Sequence, residues 1–356
     1  MKKVLSILLC VVFALGVFAG CTQQEPAAEA AAPAQEVAAT ETAAPEAAPA
    51  EPTPEPVVWR FVSAFNENAA EHYGFWMFFD RVNEELGDRL KIEYIGSTEI
   101  VAYFDQFEQL GQGVFDIGHI PVNMTENITP IGDALYLTEL NPMEMRDSGA
   151  YDFCKDIYEA QGNVVYLGVT SGEDYGYTLY TNFAVNSLDD FKGKTIRTAP
   201  VFVPLVEALD AGAVAIGAGE VYQALERGVV DGIGWSTIGA VDYAWYEVLK
   251  YRIDPIFYNC NIGMYVNKDA FYALDEDLQA DVLRIAQEVE AQCYTEMGAM
   301  VAKEFATLEE KGVQTITLEG DLRDQWLAMA QEAGWAHFEQ LDPVNAKLVR
   351  PLVTKN

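Results

Sequence analysis

Basic residues are scarce in this chain of 356 residues: 22 Lys and Arg stand against 55 Asp and Glu, which gives a formal net charge of −33 at pH 7. A surface this acidic repels a phosphate backbone, so the composition excludes a nucleic-acid partner that is held by charge. The same imbalance argues against attachment to anionic lipid through basic residues. We therefore expect no nucleic-acid partner.

Cysteine is also rare, with five residues in the chain. Cys10 and Cys21 lie in or next to an N-terminal apolar run, which leaves Cys154, Cys260 and Cys293 for the folded part. Because three is an odd number and the three are widely spaced, a complete disulfide framework is excluded. The sequence predicts buried thiols.

Catalytic signatures are missing as well. The three histidines form no HExxH or HxH pair, and the chain contains no Walker A, GxGxxG or GxSxG motif. Acidic pairs are frequent, but 55 acidic residues produce such pairs by chance. We expect no enzyme, no catalytic residues and no cofactor.

The only long apolar run lies at the N-terminus. Lys2 and Lys3 precede an apolar run over residues 4–19, which predicts a secretory signal over residues 1–20 rather than a membrane span. The run ends Phe-Ala-Gly before Cys21, which resembles the lipobox of bacterial lipoproteins. That resemblance implies a lipid on Cys21 and an extracytoplasmic, membrane-anchored protein, in the periplasm or on the outer cell surface. An ordinary cleaved signal that happens to contain a cysteine is the alternative.

A segment rich in Ala, Pro and Glu follows the signal. Residues 22–56 contain thirteen Ala, seven Pro and seven Glu, which predicts an extended tether, assigned to residues 21–57. Removing the two signal lysines and the seven tether glutamates leaves a charge of −28 on residues 57–356. The folded part is therefore strongly acidic by itself.

Strand and helix patterns alternate from residue 58 onward, which predicts an α/β fold with mostly parallel sheets. No proline interrupts residues 275–311, and apolar residues recur there at helical spacing. A helix of this length is about 50 Å long, which is longer than one domain is wide. We expect it to run across two lobes.

One arginine stands out in this acidic chain. Arg197 lies near the carboxyl end of a short predicted strand, where ligands bind in open α/β sheets. A guanidinium there suits a carboxylate ligand, because its planar fork matches the two carboxylate oxygens. A structural arginine paired with one of the many acidic residues is the alternative, and position alone leaves both open.

Two motifs surround this arginine: DDFKGKTIR at residues 189–197 and EVYQALERGVVDG at residues 220–232. Both resemble motifs of the DctP family, the solute-binding proteins of TRAP transporters, and the similarity extends over residues 58 to about 341. The resemblance implies a two-lobed fold like that of periplasmic binding proteins, with a long lobe-spanning helix and a ligand enclosed between the lobes. It also implies that Arg197 pairs with the ligand carboxylate. We assign residues 58–180 and 262–312 to lobe I, and residues 181–261 and 313–356 to lobe II.

Other cleft positions follow from the same resemblance. Trp235 is expected to pack on the ligand, with a core aromatic residue as the alternative. Asn66 and Asn123 are expected to orient the ligand and Tyr175 and Tyr177 to wall it, with ordinary turn chemistry as the alternative. The position before Trp235 holds glycine where metal-binding members have a carboxylate, so no metal is expected there.

Together with these observations, the resemblance implies an extracytoplasmic protein that captures a small carboxylate and delivers it to the membrane subunits of a TRAP permease. The expected arrangement is a closing cleft with apolar and aromatic walls. A ligand-sensing module for a membrane receptor and a secreted enzyme on the same scaffold are the two alternatives.

Overall fold

The computed structural model of the protein describes residues 55–355. The strands are β1 Val57–Ser63, β2 Leu90–Gly96, β3 Ile117–Pro121, β4 Val164–Thr170, β5 Gly176–Thr181, β6 Thr195–Thr198, β7 Gly212–Ala215, β8 Gly232–Ser236, β9 Tyr251–Asp254, β10 Tyr258–Asn259, β11 Ile262–Asn267 and β12 Gln314–Thr317. The helices are α1 Tyr73–Glu85, α2 Gln106–Gly111, α3 Gly132–Leu137, α4 Pro142–Asp147, α5 Ala150–Ile157, α6 Val203–Ala208, α7 Ala218–Glu226, α8 Lys268–Tyr272, α9 Glu276–Glu310, α10 Gly320–Leu341 and α11 Pro343–Val353.

The strands form two sheets, and the α/β architecture is confirmed. The first sheet has the order β2-β1-β3-β11-β4, and the second has the order β12-β9-β5-β8-β6-β7 with β10 beside β5. The expectation of mostly parallel sheets is wrong, because β11 runs antiparallel to both of its neighbours and β5 runs antiparallel to all of its partners. β5 and β11 each follow a crossing of the chain between the sheets, but β12 also follows such a crossing and pairs parallel with β9.

The long helix predicted over residues 275–311 is confirmed as α9. Asp275 caps it by accepting a hydrogen bond from the backbone of Leu278 at 2.9 Å. Its N-terminal half packs into the core beside the first sheet, where Val282 and Ile285 are fully buried. Its last turns pack against the second sheet, because Leu308 lies in the same buried cluster as Tyr180 of β5. The helix therefore spans the two halves of the fold.

Several predicted elements differ from the structure. The sequence pattern over residues 146–161 predicts a single helix, which is wrong, because the chain turns at Gly149, which has a φ of 82°, and α4 and α5 lie on either side. Strands β9 and β10 and helix α11 had no counterpart in the sequence prediction. Helix α10 packs against both α6 and α3, and α11 packs against α3 and α5. The lobe boundaries stay a prediction.

Two further expectations concern cysteines and membrane insertion. Cys154, Cys260 and Cys293 are free and buried, as predicted. Within residues 55–355, no helix combines the length and apolar character needed to cross a bilayer. Cys21 lies outside the described residues.

Candidate functional site

A cavity of about 440 Å³ lies where the carboxyl ends of strands from both sheets approach each other. Its first-sheet wall follows β1 and β3, and its second-sheet wall follows β6, β7 and β8. Open α/β sheets bind ligands at this end of their strands. The cavity is lined mainly by apolar and aromatic side chains with a few polar groups, as small-molecule sites usually are.

All six residues that the sequence assigned to the cleft line this one cavity: Arg197, Trp235, Asn66, Asn123, Tyr175 and Tyr177. They come from elements far apart in the chain, and only the fold brings them together. Lining the cavity is a matter of position, so their role as ligand contacts stays a prediction.

Arg197 is held in place by neutral groups. Its Nε donates to the carbonyl of Ile216 at 2.8 Å, and its Nη1 donates to the carbonyl of Gly234 at 3.2 Å. Only 6% of the residue is exposed, and burial lowers the pKa of its guanidinium to about 10. Among residues 55–355, no carboxylate forms an ion pair with it. The alternative of a structural arginine paired with an acidic residue therefore does not apply within the described chain.

Trp235 lies beside this arginine. The guanidinium carbon is 4.9 Å from the centre of the Trp235 ring, within the range of a cation–π contact. The ring also meets Trp245 edge-on, with centroids 4.9 Å apart. Its indole Nε1 is buried and has no hydrogen-bond partner. The residue thus packs partly into the core and also presents an unused donor beside the cavity.

The two asparagines and two tyrosines differ in how deeply they lie in the cavity. The Tyr177 hydroxyl donates to Asn123 Oδ1 at 3.2 Å, and both residues are buried. The hydroxyl of Tyr175 is buried without a partner. Asn66 lies on an exposed turn that Phe65 fixes by donating its backbone N–H to Ser63 Oγ at 2.9 Å. Asn66 therefore lies at the rim, while the other three line the interior.

Glu71 also belongs to the site, although the sequence did not predict it. This residue lies in the short helical turn Ala70–His72 that precedes α1. The fold buries it in the cavity wall at 4% exposure, with Oε1 unpartnered. Burial raises the pKa of the Glu71 carboxyl to about 7, and the nearby carboxylates of Asp242 and Glu304 contribute smaller effects in the same direction.

The N-terminus of α7 was also missed. Gly217, Ala218 and Gly219 line the cavity, and no side chain caps the first amides of this helix. Unused amides at a helix N-terminus favour an anion. Arg197 supports this turn directly, because it bonds the carbonyl of Ile216. The run Gly-Ala-Gly before a helical pattern was the available signal.

Tyr103 and Tyr243 complete the polar lining. Both line the cavity, and burial raises the pKa of both phenols, which keeps them neutral. Tyr103 comes from the first-sheet side and Tyr243 from the second. The cavity therefore has a cationic region at Arg197 and an acidic one at Glu71, with phenols near both.

Comparison with known proteins gives the family. The model of the bacterial extracellular solute-binding proteins, family 7 (DctP), matches residues 61–341. A curated relative, the uncharacterized protein YiiZ of Salmonella typhimurium, is 22% identical over 158 residues, which are 43% of this chain. The chain spans about half of that relative's length, at 48%.

Solved structures share the fold at low sequence identity. A TRAP periplasmic solute-binding protein from Desulfovibrio salexigens with bound orotic acid has a TM-score of 0.75 and 16% identity, over 83% of this chain and 97% of the other. A TRAP periplasmic solute-binding protein from Sulfitobacter with bound β-D-galacturonate has a TM-score of 0.71 and 20% identity, over 83% and 99%. Both of these similar structures are solute-binding proteins with a bound ligand. Given the family match over most of its length, this chain belongs to the DctP family of bacterial extracellular solute-binding proteins.

Proposed function

We propose that this protein captures a small organic acid in the cavity and delivers it to the membrane subunits of a TRAP-type secondary transporter. The observation that carries the proposal is Arg197: a buried cation in a cavity wall, with no carboxylate partner among the described residues. Leaving a charge buried and unpaired is costly, so a ligand carboxylate supplies the missing partner. In an acidic protein, this local cation decides where the anion binds.

The ligand carboxylate lies between Arg197 and the N-terminus of α7. The guanidinium still has donors that no protein carbonyl uses, since two of its N–H groups are committed to Ile216 and Gly234. The open amides near Gly217 add donors and the positive end of the helix dipole. Trp235 covers the guanidinium and aligns its plane.

The remainder of the ligand carries a hydrogen-bond donor. Glu71 offers an unpartnered oxygen in the cavity wall, which accepts from an N–H or O–H group. Orotic acid and β-D-galacturonate, the ligands of the two similar structures, each combine a carboxylate with such donors. The ligand class is therefore a carboxylate with a donor group remote from it, and Asn123 and Tyr175 orient it.

Capture involves closure of two lobes, with lobe I at residues 58–180 and 262–312 and lobe II at residues 181–261 and 313–356. Helix α9 links them, since its two ends lie in different cores.

The protein works outside the cytoplasm. A lipid on Cys21 holds it at the membrane through the tether, and mass spectrometry of the protein purified from its membrane fraction tests that modification.

A panel of small organic acids, screened by thermal shift, tests the function. A ligand at 100 times its Kd adds about 2.7 kcal/mol to the free energy of unfolding. Arg197→Met is expected to abolish the shift that the best acid produces. Arg252→Met is the matched control, because Arg252 is equally buried in the same sheet but is paired with Asp254 and does not line the cavity. A shift that survives in Arg197→Met contradicts the proposal.

A further inference from the structure

A second group of polar side chains lies away from the cavity and is not used by the proposed function. Glu126, Asp133 and His337 each offer one ligand atom, and the three atoms lie within 4.8 Å of one another. Glu126 follows the helical turn Val122–Thr125, Asp133 is in the first turn of α3, and His337 is on α10. None of these residues lines the cavity.

Asp133 is the unusual member of this group. It is 1% exposed, and neither of its carboxylate oxygens has a hydrogen-bond partner among the described residues. Burial raises the pKa of its carboxyl to about 8, and the nearby Glu126 adds to the effect. An unpartnered buried carboxyl costs folding free energy, and a group that neutralises it would remove that cost.

The imidazole and the second carboxylate are also placed as ligands of one ion would be. His337 Nε2 lies 3.3 Å from Glu126 Oε1, an ion-pair distance when the imidazole is protonated, and this carboxylate raises the pKa of His337. Two ligands of one tetrahedral Zn²⁺, each about 2.0–2.1 Å from the metal, are themselves separated by about 3.3 Å. The distance between these two atoms therefore fits two ligands that share an ion.

We propose that Glu126, Asp133 and His337 bind a divalent transition-metal ion of the Zn²⁺ class. One imidazole and two carboxylates form a mixed nitrogen and oxygen set that suits Zn²⁺. Ca²⁺ takes six to eight oxygen ligands, roughly twice what this group offers. Glu126 and His337 are partly exposed, so the ion has a path from solvent and a water completes its coordination.

An ion bound at this site would connect helices α3 and α10. His337 is on α10, which packs against α3, the helix of Asp133. An ion held between them ties α10 to the turn that contains Asn123, a cavity residue. Zn²⁺ is therefore expected to raise the melting temperature without an organic ligand.

Titration of the full, chelator-treated protein with Zn²⁺ tests the proposal. We expect one tight site by calorimetry and a rise in melting temperature, with Ca²⁺ at equal concentration producing neither. Asp133→Asn keeps the shape of the side chain but cannot donate a carboxylate, and His337→Gln removes the imidazole. Each is expected to weaken Zn²⁺ binding at least about tenfold.

Glu332→Gln is the matched control, because Glu332 is an exposed acid on the same helix and lies outside the group. It is expected to bind Zn²⁺ as the wild type does. The proposal is overturned if the wild type binds no Zn²⁺ stoichiometrically, if Ca²⁺ binds as tightly, or if either Asp133→Asn or His337→Gln keeps wild-type affinity. Because none of the three residues lines the cavity, a failure of Zn²⁺ to bind would overturn only the metal site and would not bear on the proposed capture of an organic acid.

Discussion

Arg197 and Trp235 form a cation–π pair, with the guanidinium carbon 4.9 Å from the ring centre. The same guanidinium donates to two backbone carbonyls, and none of these contacts neutralises its charge. The protein thus holds the arginine in a fixed orientation while leaving its charge available. A carboxylate that enters the cavity meets a cation whose position and desolvation are already established.

The first prediction concerns stability without ligand. Arg197→Met removes a buried, unpaired charge, so we expect no loss in the free energy of unfolding of the free protein. Arg252→Met removes a guanidinium of equal burial that bonds Asp254 and Thr315, so we expect a loss of about 1–3 kcal/mol. Denaturant unfolding of both variants measures the difference. A larger loss for Arg197→Met than for Arg252→Met would show that Arg197 is structural.

The second prediction concerns pH and Glu71. The carboxyl has a pKa of about 7 when folded, against an ordinary value of 4.5, so the unfolded chain releases this proton first. The contribution of Glu71 to the free energy of unfolding is full below pH 4.5 and is lost as the pH rises to about 7. Between pH 5 and pH 8 the wild type is expected to lose up to about 3 kcal/mol relative to Glu71→Gln.

Urea unfolding of the wild type and Glu71→Gln at both pH values measures this loss. The matched control is Glu67→Gln, which neutralises an exposed acid of the same loop and is expected to follow the wild type at both pH values. Parallel pH profiles for the wild type and Glu71→Gln would contradict the raised pKa.

The third prediction concerns the glycine before Trp235. A Cβ at Gly234 would lie 2.4 Å from the ring of Phe202, which lines the cavity. Gly234→Ala therefore forces Phe202 to move, and we expect a loss of about 1–3 kcal/mol in unfolding free energy together with weaker ligand binding. Gly219→Ala is the control, because a Cβ at this cavity residue meets nothing within 4 Å. Equal behaviour of the two variants in thermal unfolding would contradict this account.

The fourth prediction concerns an ion pair that joins α4 to α9. Arg146 Nε lies 2.6 Å from Glu290 Oε2, and Glu290 also accepts from the backbone of Val169 on β4 at 2.8 Å. Arg146→Met leaves Glu290 buried without its cation, so we expect a loss of about 3 kcal/mol in unfolding free energy. Arg284→Met, which breaks only exposed ion pairs, with Glu85 on α1 and Glu288 on α9, is expected to lose less than about 1 kcal/mol. Similar losses in chemical unfolding would argue against this role for Glu290.

The spacing of apolar residues predicted both α9 and the α/β class. For α9, helical spacing that continues without a proline over residues 275–311 is compatible with few structures other than one long helix. The turn at Gly149 and the short strands β9 and β10 could not be predicted from periodicity, since a single left-handed residue and strands of two to four residues are too short to show a repeating pattern. The antiparallel direction of β5 and β11 depends on which distant strands they pair with, which is a tertiary property.

The same division applies to the site. Arg197 was found from its place at a strand end in an acidic chain, together with the motifs around it. Glu71 was not found, because its burial depends on elements of the second sheet that are distant in the chain. The group of Glu126, Asp133 and His337 was missed for the same reason, since no spacing along the chain brings them together.

Calorimetric titration with the best organic acid and with its uncharged amide tests the central claim most directly. The account predicts that the wild type binds the acid, that the amide binds at least about thirtyfold more weakly, a loss of roughly 2 kcal/mol, and that Arg197→Met no longer distinguishes the two. If the amide binds the wild type as tightly as the acid, or if Arg197→Met retains the preference for the acid, then Arg197 does not hold the ligand carboxylate.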